Sequence, residues 1–162
     1  MEMLCRQCEQ SKAETGCVKV GVCGKPADVS ALQDLLVITV RGISKLALAA
    51  GAKGVDLGRA EAFVEDAMFA TLTNVDFSAE TISAHIDEGI AIREELRAGL
   101  VAAGESGEFS APCTTLNPPA DLDERIALAA EIGSPWDTSR DEDVVSLQET
   151  TIYGIKGLAA YA

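Results

Sequence analysis

Four of the five cysteines in this chain lie within its first 23 residues, and no other feature constrains the fold as strongly. Cys5, Cys8, Cys17 and Cys23 follow a C-x2-C-x8-C-x5-C pattern. Thiolates this close in sequence can converge on a single metal centre. A candidate site is therefore concentrated at the N-terminus, and the rest of the chain is interpreted in relation to it.

The cysteine chemistry alone leaves three interpretations open. Four-cysteine ligation is typical of iron–sulfur clusters, and Gly16, Gly21 and Gly24 would let the backbone approach such a cluster closely. Structural zinc commonly uses two C-x2-C knuckles, whereas this segment has one and no nearby histidine. A redox dithiol at Cys5 and Cys8 lacks the expected βαβ context. The spacing favours an iron–sulfur cluster over zinc, and zinc over thiol chemistry.

Composition and charge argue against several classes of function. The formal net charge of −13 argues against nucleic acid as a partner, because phosphate binding needs clustered Lys and Arg. Charged and polar residues begin at Glu2, so we expect no signal peptide, and no apolar run is long enough to span a membrane. We therefore expect a cytoplasmic protein without a membrane partner, in which such cysteines are ligands or redox groups rather than disulfides.

The cysteine segment is slightly basic although the chain as a whole is acidic. Its cations and anions are Arg6, Lys12, Lys19 and Lys25 against Glu2, Glu9 and Glu14. Cations beside a negatively charged cluster would stabilise it. Ordinary scatter of surface charge explains the pattern equally well.

Hydrophobic periodicity predicts an all-α fold, with a cysteine-rich cluster-binding loop at 1–26 followed by helical bundles. Only 4% of residues are aromatic while 48% are apolar, which suits helix packing through Ala and Leu. Apolar stripes at helical spacing predict helices over about 29–50, 57–73 and 79–103. Together they would form a three-helix bundle within 27–104.

The second half of the chain is predicted to continue the helical domain. Residues 105–121 are rich in Gly, Ser and Pro and are interpreted as a linker or loop. Further helices are predicted within 122–162, over about 122–132 and from near Asp141 to the end. The last helix reaches Ala162 without a terminating residue, which we interpret as truncation within a larger protein.

The residues around the cysteines resemble one known family. The run CRQCEQSKAETGCVKVGVCGKPADVSALQDLL is similar to the N-terminus of the hybrid-cluster proteins, also called prismane proteins or hydroxylamine reductases. The likeness continues in LQETTIYGIKGLAAYA, so it spans nearly the whole chain. The resemblance implies that Cys5, Cys8, Cys17 and Cys23 hold a cubane cluster, and their compact spacing is similar to that of members with a 4Fe-4S centre.

The resemblance also implies that electron transfer and substrate reduction take place in different domains of a longer enzyme. Family members carry a second centre, a hybrid iron–sulfur–oxygen cluster, whose Cys, Glu and His ligands come from later domains. This chain would then hold no catalytic residue and would be inactive alone. It would relay electrons from a donor to the remaining domains, where hydroxylamine or a related nitrogen oxide is reduced. The alternative is a stand-alone helical module that holds zinc or a structural cluster.

The remaining chemistry-bearing residues are interpreted as structural. His85 is the only histidine, and we expect it to be a surface or half-buried packing residue. Cys113 is expected to be a small side chain that is at least partly buried. Trp136 and Tyr153 are expected to pack between helices, or else to border the missing domain.

Overall fold

The computed structural model describes residues 3–5, 8, 16–132 and 141–162. This part of the chain is all-α, as the periodicity predicts. Its helices are α1 Ala27–Gly51, α2 Gly58–Ala70, α3 Ala79–Ala102, α4 Pro112–Thr115, α5 Leu122–Ile132 and α6 Glu142–Ala159. None of these helices combines the length and the apolar character needed to cross a membrane. Trp136, Arg6 and Lys12 lie outside the described residues, and the division of the chain into domains stays a prediction.

The first helix is the centre of the described fold. Helices α2, α3, α4 and α5 all pack on α1, and α6 packs on α2. The apolar stripe predicted for α1 is buried in the main core: Leu32, Leu35, Leu36, Val40, Ile43 and Leu46. Because each such side chain contributes about 1.5–3 kcal/mol when fully buried, this stripe is a large part of what holds the helices together.

Polar side chains set several helix boundaries. Ser78 Oγ accepts the Thr81 N–H at 3.1 Å, and Asp141 Oδ1 accepts two first-turn N–H groups of α6 at 3.0 and 3.2 Å. The helix predicted over 57–73 is shorter in the structure and ends at Ala70. The reason is local, because the Thr71 hydroxyl donates to a carbonyl of the preceding turn at 2.8 Å and the chain then leaves the helix.

Two arginines of α3 hold the segment between α3 and α5 against the helices. Arg93 is 1% exposed and donates to the Leu116 carbonyl and to Asn117 Oδ1, each at 2.6 Å. Arg97 donates to two further carbonyls of the segment, each at 2.6 Å. The Gly-, Ser- and Pro-rich segment is therefore fixed in place and contains one short helix, α4.

Candidate metal centre

Backbone pairing brings two of the four N-terminal cysteines side by side. The N–H of Cys5 donates to the Cys17 carbonyl and the N–H of Cys17 to the Cys5 carbonyl, each at 2.9 Å. Such a pair in antiparallel register has its Cα atoms about 5.5 Å apart. Both side chains are buried together with Met3 and pack against Ala27 at the start of α1. The pairing therefore places two cysteines side by side that are twelve positions apart in the sequence.

The fourth cysteine lies in a turn bounded by glycines. The Gly21 N–H donates to the Lys25 carbonyl and the Gly24 N–H to the Gly21 carbonyl, both at 2.8 Å. Gly24 has φ +91°, a left-handed conformation that glycine adopts without strain. A Cβ added at Gly21 would lie 2.9 Å from Cys23 Sγ, so the sulfur occupies the space that a side chain would need.

The donor set fits an iron–sulfur cluster by its chemistry and by its partial burial. Cys5 and Cys17 are buried and Cys8 and Cys23 are half-buried, and none of the four forms a disulfide. Among the residues that the structure describes, however, no group of three or more Cys, His, Asp or Glu side chains is placed to hold a metal ion. The structure thus pairs Cys5 with Cys17, and the assignment of all four cysteines as ligands stays a prediction.

A lysine of the cysteine segment lies inside the fold. Lys25 is 2% exposed, and its Nζ donates to Gln33 Oε1 of α1 at 2.5 Å. The same Nζ lies 5.8 Å from the centre of the Phe77 ring. Gln33 Nε2 in turn donates to the Asp76 carbonyl at 3.0 Å. Lys25 is therefore not one of a scatter of surface charges. It is a buried, hydrogen-bonded cation that immediately follows the Cys23 turn.

A second buried cation reaches the same region from α6. Lys156 is 1% exposed. Burial lowers the pKa of Lys156 to about 8. The charges of Asp34 and Cys5 act against this lowering, whereas the charge of Lys25 adds to it. Burial also raises the pKa of Asp34, a residue of α1, to about 7. The positive charges of Lys156 and Lys25 lower this pKa, but by less than burial raises it. The charges of Lys25 and Lys156 thus both act on Asp34, and we call these three residues the Asp34 cluster.

Opposite charges on α1 and α6 act on each other at two places. Arg41 Nη2 lies 3.3 Å from Glu149 Oε1. Asp34, seven residues before Arg41, and Lys156, seven residues after Glu149, form the second pair. The polarity is reversed between the pairs, because α1 supplies the cation in the first and the anion in the second.

Comparison with known proteins identifies the family. The model of the Prismane/CO dehydrogenase family matches residues 3–162. The chain belongs to this family. The resemblance drawn from the cysteine run and the final stretch is therefore confirmed, and it extends over residues 3–162.

Named relatives of this Prismane-family chain are considerably longer than it is. It is 42% identical to the hydroxylamine reductase of Methanocella arvoryzae, over 99% of this chain and 30% of the relative. It is also 42% identical to the hydroxylamine reductase of Thermoanaerobacter pseudethanolicus, over 100% of this chain and 29% of the relative. The corresponding protein of Syntrophobacter fumaroxidans is 38% identical, over 99% of this chain and 30% of its own length. The chain thus spans about 30% of the length of these curated relatives.

The other residues singled out in the sequence have structural surroundings in this Prismane-family domain. His85 is half-buried, and its ring centre lies 6.4 Å from that of Phe63 with the planes tilted by 59°, as expected for a packing residue. Cys113 is half-buried on α4, as expected. Tyr153 is 43% exposed, so the expectation that it packs between helices is wrong, because that side of α6 faces away from the core.

Proposed function

We propose that this chain is the electron-transfer domain of a hydroxylamine reductase-type oxidoreductase and holds a 4Fe-4S cluster on Cys5, Cys8, Cys17 and Cys23. The observation that carries the proposal is the backbone pairing of Cys5 with Cys17 within a Prismane-family domain. The pairing brings together thiols that lie far apart in the four-cysteine pattern. Such a cluster, when bound, supplies reversible one-electron transfer.

The chain's own residues would fix the thiolates and control their surroundings. Met3 and Ala27 exclude water from the Cys5 and Cys17 side chains. Glycine at position 21 leaves room for the Cys23 sulfur. Solvent exposure, hydrogen bonds and nearby charge are the features by which a protein sets the reduction potential of an iron–sulfur cluster. The described segment offers all three, in a reducing cytoplasmic compartment where such thiols persist.

Substrate chemistry, in this proposal, belongs to the remaining domains of the parent enzyme. The chain spans about 30% of relatives that are named hydroxylamine reductase. We propose that those domains hold a hybrid iron–sulfur–oxygen cluster that reduces hydroxylamine to ammonia, or a related nitrogen oxide. No residue of this chain is assigned a catalytic role, so the chain alone would be inactive. An electron donor would be its other partner.

The surface of α6 supports the proposed packing against further domains. An apolar groove of about 630 Å³ lies between α1, α2 and α6. Leu48, Leu147 and Leu158 are 80%, 68% and 71% exposed. Apolar side chains exposed on this scale mark interaction surfaces. We propose that the remaining domains of the parent enzyme cover this surface.

Anaerobic preparation of the chain with iron and sulfide tests the proposed function. We expect a brown protein with about four iron and four sulfide per chain, and an EPR signal that develops on one-electron reduction. A colourless protein that binds stoichiometric zinc under the same conditions would instead support the alternative, a stand-alone helical metal-binding module. Apolar docking is tested separately by adding the remaining domains and measuring complex formation.

A further inference from the structure

The structure pairs the thiols of the cysteine segment differently from the sequence spacing. Cys5 and Cys8 are three positions apart and form the C-x2-C pair that is typical of redox dithiols. The backbone partner of Cys5 is instead Cys17, twelve positions away, through two hydrogen bonds of 2.9 Å. Neither of these two cysteines forms a disulfide in the structure. The fold thus brings together two cysteines that the C-x2-C motif does not pair.

The spacing of the two paired backbones suits a disulfide. Residues that exchange both hydrogen bonds in antiparallel register have Cα atoms about 5.5 Å apart, and disulfides join Cα atoms about 4.4–6.8 Å apart. Opposed Cβ atoms lie about 4.5–5.5 Å apart, whereas a disulfide brings them to about 3.5–4.5 Å. The two residues must therefore approach each other by about 1 Å. Cys5 and Cys17 form an isolated bridge outside any strand of the described residues, so no sheet resists this movement.

Further contacts hold the two cysteines in this register. The N–H of Met3 donates to the Val18 carbonyl at 3.1 Å, which continues the pairing by one more hydrogen bond. Cys5 and Cys17 are 9% and 6% exposed, and both pack with Met3 and against Ala27. Directly opposed residues of an antiparallel pair have their side chains on the same face. The folded chain therefore keeps the two thiols close together, and such proximity strongly favours a reaction between them.

We propose that Cys5 and Cys17 are a redox pair, which a small disulfide such as oxidised glutathione converts to a Cys5–Cys17 disulfide in the metal-free chain. The thiolate of one cysteine attacks the small disulfide, forms a mixed disulfide and releases one small thiol. The other cysteine then attacks the protein sulfur of the mixed disulfide, so that the Cys5–Cys17 bond forms and the second small thiol leaves. The two cysteines together lose two electrons and two protons, which the two released thiols carry away.

This disulfide controls metal binding, a consequence that rests on the proposed function. Thiolates, not disulfides, ligate iron, so the Cys5–Cys17 bond withholds two of the four proposed ligands. The oxidised, metal-free chain therefore binds no cluster until a thiol reductant reopens the bond. Oxidation and cluster loading thus compete for the same two side chains.

Digestion with trypsin makes each linkage measurable, because it leaves every cysteine in a different peptide. These peptides are 1–6 with Cys5, 7–12 with Cys8, 13–19 with Cys17, 20–41 with Cys23 and 98–125 with Cys113. The metal-free chain is equilibrated with a glutathione redox buffer, alkylated, digested without reduction and analysed by mass spectrometry. We expect peptide 1–6 to be joined mainly to peptide 13–19. Predominance of the 1–6 to 7–12 linkage would overturn the inference.

The same chain in concentrated guanidinium chloride is the matched control. Without the fold, the shorter loop is easier to close, and closing three residues rather than twelve is worth about eightfold for flexible loops. We therefore expect Cys5–Cys8 to predominate in the unfolded chain, and the ratio of the two linkages to change by more than about eightfold on folding. Equal ratios in the folded and unfolded chains would contradict the proposed pair. Cys8→Ser is expected to leave the Cys5–Cys17 linkage of the folded chain unchanged.

Iron loading tests the consequence for metal binding. The chain that carries the Cys5–Cys17 disulfide is expected to take up at least about tenfold less iron than the reduced chain, and dithiothreitol is expected to restore loading. Equal iron uptake by the oxidised and reduced chains would overturn the control of metal binding by this pair. A reduced chain that forms no cluster overturns the proposed function, whereas a predominant Cys5–Cys17 linkage still supports the redox pair.

Discussion

The backbone of α4 lies directly against Gly42 of α1. A Cβ added at Gly42 would lie 2.1 Å from the carbonyl oxygen of Cys113 and 2.9 Å from its carbonyl carbon. Neither atom belongs to a flexible side chain. Glycine at position 42 is therefore a requirement of the contact between α1 and the segment that Arg93 and Arg97 hold.

Gly42→Ala is expected to destabilise the chain by about 1–3 kcal/mol, because the methyl group forces the two backbones apart. Urea unfolding followed by circular dichroism measures the change. Gly154→Ala is the control, since a Cβ there meets nothing within 4 Å. A helical Gly→Ala change in open space is expected to stabilise by about 0.5–1 kcal/mol. Equal effects of the two substitutions would show that α4 does not press on α1.

Cys17→Ser is expected to abolish the intact cluster, because a serine hydroxyl is a poor substitute for a buried thiolate ligand. Iron content and visible absorption after anaerobic loading measure the loss. Cys113→Ser serves as control, since Cys113 lies on α4 outside the cysteine segment and its change is expected to leave the spectrum as it is. Retention of a full spectrum by Cys17→Ser would show that the assigned ligand set is wrong.

Gly21→Ala is expected to reduce iron loading while leaving the helical content unchanged. The added methyl group would meet Cys23 Sγ at 2.9 Å and Lys25 Cβ at 3.1 Å, so the sulfur must move. Gly58→Ala is a suitable control because its nearest neighbour, Asp56 Oδ1, lies at 3.5 Å, an ordinary contact. Parallel measurements of iron content and far-ultraviolet circular dichroism separate the two effects. Normal loading of Gly21→Ala would exclude the tight Cys23 turn from cluster binding.

Arg93→Met is expected to release the segment between α3 and α5 and to cost about 3 kcal/mol, because three charge-assisted hydrogen bonds are lost, two of them to the segment. Limited proteolysis is then expected to cut near Leu116, where we expect the unaltered chain to resist. Arg59→Met provides the comparison. Arg59 pairs with Glu88 and Glu95 at the surface, and removing such pairs costs about 0–1 kcal/mol. Unchanged resistance to protease in Arg93→Met would mean that Arg97 alone holds the segment.

The pH dependence of stability in the metal-free chain is expected to show the burial of Asp34. Its pKa rises from 3.8 to about 7 on folding, so the folded state keeps a proton that the unfolded state has lost. Stability contributed by Asp34 is therefore lost as the pH rises through this interval. Lys156 has the opposite slope, since its pKa falls from 10.5 to about 8 and stability is gained between these values.

Asp34→Asn isolates the first of these effects. The difference in unfolding free energy between the unaltered chain and this variant is expected to shrink or reverse from about pH 4 to pH 7. Chemical unfolding at several pH values measures the difference. A difference that grows over this interval would mean that Asp34 is stabilised as a carboxylate in the folded state.

Local patterns in the sequence were sufficient to predict five of the six described helices, all except the short α4. The apolar stripe of α1 could be recognised in the sequence because the spacing of its residues matches the helical period. In the structure these residues lie in the main core. Ser78 was predictable as the start of α3 for a similar reason, because its hydroxyl accepts the Thr81 N–H within the first turn of the same helix. In both cases the information lies within a few neighbouring residues.

The buried charges depend on partners far away in the chain and were not predicted. Lys156 meets Asp34 across more than 120 residues, and Arg125 Nη2 bonds to Asp87 at 2.6 Å from a different helix. One signal was present, because helical spacing places Lys156 on the same face of α6 as Ile152, which packs on the core. That spacing indicates burial of Lys156 but gives no means of finding its partner.

The effect of Lys156, on α6, and Cys5 on each other also has a consequence for the order of events during synthesis. Cys5 leaves the ribosome early, whereas Lys156 is made about 150 residues later. At about 5–20 residues per second, roughly 8–30 s separate the two. The charge that α6 supplies near Cys5 is thus present only after α6 has been made, and the closure of this long loop is entropically costly and slow compared with local helix formation. The surroundings of Cys5 therefore depend on a segment that is synthesised much later.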